Sequence, residues 1–113
     1  MWKIVIVGAL ALSAAPAIAR GGASNFTIVN GTSDALGDLS IRRAGTSDWK
    51  PLSAGPSAGA RGPVQFNDPD CAFDIRGAPG GKPVTWTGVN LCDVKSVTLR
   101  KDETAGAWVD YDQ

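Results

Sequence analysis

The sequence predicts an all-β protein: a single antiparallel β-sandwich of Ig-like type, with six or seven short strands behind an N-terminal signal peptide. Three observations carry this prediction. Short runs of alternating apolar and polar residues recur along the chain. Clusters of Gly, Pro, Asp and Ser separate them at hairpin-like spacing. No stretch after the N-terminus shows a helical apolar stripe, so no helical layer is available to pack on a sheet.

The elements follow in order. MWKIVIVGALALSAAPAIARGG opens the chain. Lys3 gives a short positive region, Ile4 to Leu12 an apolar run, Pro16 a helix breaker, and Ala17-Ile18-Ala19 a small-x-small cleavage site. Residues 1–19 therefore read as a secretory signal cleaved after Ala19. The run is short of the roughly 20 residues that span a bilayer. Residues 20–24 read as a short linker and 25–113 as the sandwich domain. In NFTIVN (25–30), Phe26 and Ile28 share one face. In DLSIRR (38–43), Leu39 and Ile41 do, with Ser40 and Arg42 opposite. The stretch from Gly45 to Gly62 reads as a long loop whose Trp49 and Leu52 fold back onto the core. PVQF (63–66) pairs Val64 with Phe66. CAFDIR (71–76) alternates most cleanly, with Cys71, Phe73 and Ile75 on one face and Ala72, Asp74 and Arg76 on the other. GAPGGKP (77–83) is a hairpin turn, and PVTWTGV (83–89) the returning strand, with Trp86 on the core face. KSVTLR (95–100) sets Val97 and Leu99 inward, KDETAGA reads as a second hairpin turn, and AWVDY (107–111) as the last strand.

Composition narrows the function. The chain holds 11 basic and 11 acidic residues and no histidine. Removing 19 of 113 residues leaves 94, one small domain, and takes only Lys3 among the charges, for a net charge of −1. The basic residues are scattered. A nucleic-acid partner is therefore not expected, nor a stable membrane span after cleavage. Without histidine, Ser-His-Asp and Cys-His catalysis are ruled out. Ser47 and Lys50 are three apart in a loop, which reads as a polar turn. No catalytic residue is assigned and no cofactor is expected.

The two cysteines, Cys71 and Cys92, read as a structural disulfide. Both survive cleavage into an oxidising compartment, periplasmic or extracellular, where small domains use covalent staples. They sit at the outer ends of the two strands around Gly80-Gly81, and the closed loop is worth about 3 kcal/mol in the chain-entropy model. A redox C-x-x-C pair or a zinc site would need other spacing or more ligands.

Trp49-Lys50-Pro51-Leu52, Gly62, CAFDIR, the glycine turn, WTGVNLC (86–92) and SVTL (96–99) together resemble a family of small secreted bacterial proteins. The likeness runs from about Phe26 to Tyr111. It implies a single β-sandwich domain with an N-terminal signal and a Cys…Cys pair. The family's molecular role is not established, and it offers no catalytic residues to carry over. Some similar sequences carry the label argininosuccinate lyase. That enzyme family is larger, mainly helical, cytoplasmic and oligomeric, so the label does not fit this chain.

Three weaker candidates remain. Asn67, Asp68 and Asp70 in NDPD place oxygen ligands at a spacing calcium accepts, although Asx-Pro is also an ordinary turn. Asp74 is expected to form a solvated cross-strand pair with Arg42 or Arg100. Trp49 and Trp108, with Tyr111, are the candidates for partner contact. Asn25-Phe-Thr and Asn30-Gly-Thr match a glycosylation pattern without functional weight in a bacterial-looking chain. The expected function is a non-enzymatic interaction or accessory module of the bacterial envelope, with an envelope protein as candidate partner. The alternative is a ligand-binding domain, for carbohydrate through the loop aromatics or for calcium through the 67–70 turn.

Overall fold

The computed structural model describes residues 22–113. The signal peptide of residues 1–19 and its cleavage site lie outside the described residues. Eight strands form: β1 Phe26–Asn30, β2 Asp38–Arg43, β3 Lys50–Ala54, β4 Arg61–Val64, β5 Ala72–Gly77, β6 Val84–Asn90, β7 Ser96–Asp102 and β8 Gly106–Asp112. They make two four-stranded sheets, β4-β1-β7-β8 and β3-β2-β5-β6. Among the described residues there is no helix longer than the turn Pro79–Gly81, and none long and apolar enough to cross a membrane.

The core lies between the sheets. It is built from the inward residues that alternation predicts: Phe26 and Ile28, Leu39 and Ile41, Phe73 and Ile75, Trp86, and Val97 and Leu99. Trp86 is fully buried, and its Nε1–H donates to the Arg100 carbonyl at 2.8 Å, joining the two sheets. A buried indole needs such a partner. Leu36 and Leu91, outside the strands, complete the packing.

Four features depart from the expected pattern. The strand count is eight, because the loop 45–62 contains β3. Its Leu52 packs on the core as expected, but Trp49 does not and lies on the outer face. The pair β1–β7 is parallel; β1 opens the fold and β7 nearly closes it, so the intervening strands supply the long crossover that parallel pairing requires. Thirdly, Trp86 and Val89 are both buried although three residues apart. A β-bulge resolves this: Phe73 pairs with Val89 and Ile75 with Trp86, so Thr87 and Gly88 together oppose Asp74, and Gly88 takes φ +64°. Fourthly, Asp74 is buried rather than solvated, its side chain only 6% exposed beside Arg42.

The disulfide joins Cys71 and Cys92 across 5.1 Å between Cα atoms. It staples the open end of the β5–β6 hairpin where the ladder finishes, with the Leu91 N–H donating to the Cys71 carbonyl at 2.9 Å. Ala23, inside the stretch read as a linker, is buried and bridges Asp68.

Candidate functional site

A cleft of about 230 Å³ opens at the end of the sandwich where β2 runs out. Its floor is Ile41, Phe66 and Phe73, and its rim carries Arg43, Thr46, Asp48, Lys50 and Asp68. Phe66 sits edge-on to both Phe26 and Phe73, with ring centroids 6.1 and 5.2 Å apart. Such T-shaped pairs hold a ring in one orientation.

The loop that carries Phe66 and Asp68 is pinned at several points. The Phe66 N–H donates to Asn25 Oδ1 at 2.7 Å. Ala23 and Asp68 exchange backbone hydrogen bonds at 2.7 and 3.1 Å. The disulfide fixes the loop's far end at Cys71. On the rim, Arg43 reaches Asp68 at 3.2 Å and Asp70 at 3.1 Å. Asp68 also accepts the Asp70 N–H at 2.8 Å, closing an Asx turn. Partial burial works against ionisation of the Asp68 carboxyl. The Asp70 N–H and the Arg43 guanidinium outweigh it and hold the group below its ordinary value. The hydrogen bond and charge of Asp68 in turn raise Arg43.

Asp68 and Asp70, two of the calcium candidates, thus both face one guanidinium, and Asn67 is exposed beside them. Among the described residues no three acidic or cysteine side chains converge as a metal site needs. Lys50 faces Asp48 at 3.7 Å, so the rim's charges are matched internally. The Thr46 hydroxyl donates to the Arg43 carbonyl at 2.8 Å. The cleft bares one apolar group: the Phe66 ring is partly exposed, whereas Ile41 and Phe73 beneath it are buried. The cleft's volume is below the range of about 300–1,000 Å³ usual for small-molecule pockets and suits a single inserted side chain.

The three aromatic candidates do not form one patch. Trp49 stands on the outer face of the β3-β2-β5-β6 sheet, with the guanidinium carbons of Arg42 and Arg76 at 4.5 and 4.0 Å from its ring centroid. Trp108 is opposite Arg100 on the outer face of the other sheet, 39% exposed. Tyr111 shares a face with Val109 on β8 and is 42% exposed. Its hydroxyl accepts the Asn90 N–H at 2.9 Å, linking the β8 and β6 edges. Arg100 pairs with Asp110, leaving Asp74 to Arg42 at 2.8 Å. Sequence reasoning missed the cleft residues Arg43, Phe66 and Phe73 as a group. The one signal was that DLSIRR ends on basic Arg43 while NDPD, between two other strands, is acidic.

No protein-family model matches the chain, and no curated protein matches it. Among solved structures, it is similar to the NMR structure of a protein from Eubacterium rectale. The two share 14% identity at a TM-score of 0.53, over 80% of this chain and 89% of the other. That likeness shows the fold alone.

Proposed function

We propose that the protein is a non-enzymatic recognition module of the bacterial envelope, exported to the periplasm or beyond, and that the cleft beside Arg43 receives an apolar side chain of a partner protein. The observation that carries this reading is the cleft itself. The partly exposed Phe66 ring, backed by buried Ile41 and Phe73, lies within a rim whose charges already pair with one another, an arrangement that favours an apolar anchor over an ion. The Cys71–Cys92 disulfide fits an oxidising compartment. The resemblance to small secreted β-sandwich proteins points the same way. The calcium alternative draws less support, since Asp68 and Asp70 are engaged by Arg43.

Site-specific photocrosslinking in the producing cell tests the reading. A photoreactive residue in place of Thr46, on the rim, is expected to trap one discrete envelope protein. The same group in place of Thr85, exposed on β6, is expected to trap none. Equal labelling from both positions, or none from the rim, would count against the cleft as the recognition site.

A further inference from the structure

The sandwich has four edge strands, and three carry a device that blocks further pairing. β4 holds Pro63 at its centre. β3 holds Pro51 and an irregular register at Leu52. β6 is bulged at Thr87–Gly88, and its Asn90 N–H is taken by Tyr111. β8 has none of these. It runs in unbroken register with β7 from Gly106 to Asp112, with neither proline nor bulge. A second, independent observation falls on the same strand. Among the described residues, the exposed large hydrophobic side chains are Trp108 and Tyr111, both on β8.

We infer that β8 pairs antiparallel with β8 of a second copy, joining two four-stranded sheets into one of eight strands. The register argues for a copy of this chain as the occupant. A twofold axis perpendicular to the sheet keeps outer face beside outer face, so it must pass through a residue. Centred on Val109, it pairs all seven residues. Val109 then meets its own copy, Ala107 meets Tyr111, Gly106 meets Asp112 and Trp108 meets Asp110. No two like charges stand directly opposite, and each Asp110 keeps its own Arg100. The two Trp108 rings lie diagonally across the seam, within reach of one another. Centring on Asp110 would oppose two carboxylates and pair fewer residues. This contact is separate from the cleft and stands or falls independently of it.

Sedimentation velocity across a concentration series, on the protein and two variants, tests the pairing. Trp108→Asp sets a carboxylate against Asp110 at both symmetric positions and is expected to weaken the dimer roughly tenfold. Trp108→Lys sets an ammonium there and is expected to keep or tighten it, although it removes the same aromatic surface. Trp108 is exposed, so both variants should fold, which circular dichroism checks. In a mixed sample of isotope-labelled and unlabelled protein, intermolecular contacts between Val109 methyl groups are expected. A protein that stays monomeric at millimolar concentration overturns the inference. So do equal losses in the two variants, which would mean apolar association without register, or a dimer lacking the Val109 contact.

Discussion

The Asp74 carboxylate divides its oxygens between two neighbouring strands. Oδ2 takes the Arg42 Nε–H at 2.8 Å from β2, and Oδ1 takes the Gly88 N–H at 3.0 Å from the bulge of β6. Removing it leaves a half-buried guanidinium and a bulge N–H without acceptors. Asp74→Ala is therefore expected to cost about 2 kcal/mol. Because Arg42 is 27% exposed, the loss stays below that of a fully buried pair. Asp74→Asn, which keeps one acceptor, should cost less. Urea titrations that rank the asparagine variant equal to the alanine variant would show that the shared acceptor is not what matters. Asn30 plays the matching part for the loops. Fully buried, it donates through Nδ2 to the Asp34 and Pro56 carbonyls at 2.7 and 2.9 Å, and through Oδ1 it accepts from the Thr32 N–H and hydroxyl. Asn30→Asp turns two donated bonds into an oxygen facing two carbonyls. It should destabilise at neutral pH by about 2–3 kcal/mol, the cost of buried unsatisfied polar groups. The loss should shrink in acid, where the new carboxyl can donate again; a pH-independent loss would argue against this account.

Elements behaved according to how far local pattern decides them. β1, β2 and β7 are legible because strict alternation puts every second residue in the core, and β5 because its apolar residues alternate although Asp74 between them is buried too. β3 is not, because Lys50-Pro51-Leu52-Ser53-Ala54 is an edge strand that buries little and contains a proline, so neither periodicity nor propensity marks it. The cleft was illegible for a related reason. Arg43 ends β2 while Phe66 and Asp68 sit in the 65–71 loop, and they meet only once the disulfide and the Ala23 bridge fix that loop. Two glycines separate backbone strain from crowding. At Gly88 a Cβ would meet nothing within 4 Å, but φ is +64°. Gly88→Ala should therefore cost about 1–2 kcal/mol, the left-handed penalty alone. At Gly55 a Cβ would lie 2.5 Å from the Gly37 carbonyl oxygen and 2.6 Å from Leu36 Cβ. Gly55→Ala must push the loop off the core and should cost more than the Gly88 variant. Thermal melts giving the reverse order would show that the loop yields freely. The hairpin staple provides the largest element-level effect. The Cys71→Ser, Cys92→Ser double variant should lose about 3 kcal/mol while keeping the β-rich circular dichroism, because the β5–β6 register and Trp86 do not depend on the sulfurs. An oxidised and a double-variant protein that melt together would remove the staple from the account.

At the scale of the whole molecule, composition shapes the response to pH. With no histidine, no side chain has an ordinary pKa between the carboxylates and the upper end of the physiological range, so stability should run flat from about pH 5 to 8. The acid side is set by carboxylates that the fold holds ionised. Asp68 lies below its ordinary 3.8, since the Asp70 N–H and Arg43 outweigh its partial burial. Asp102 lies below 3.8 because the Thr104 and Ala105 N–H groups donate to it in the β7–β8 turn. For both groups the folded pKa is depressed relative to the unfolded chain. Their contribution is therefore present above the unfolded value and is lost as pH falls through the folded one. The melting temperature should hold level at pH 5 and begin to fall near pH 4. Asn in place of Asp68 and Asp102 retains an acceptor for each turn N–H but has no proton to take up. The Asp68→Asn, Asp102→Asn variant should start less stable at pH 7, where Arg43 has lost a counter-charge, and should converge on the parent protein as both are acidified. Parallel curves from pH 7 to 2 would place the acid sensitivity in other carboxylates and leave these two turns as geometry without linkage.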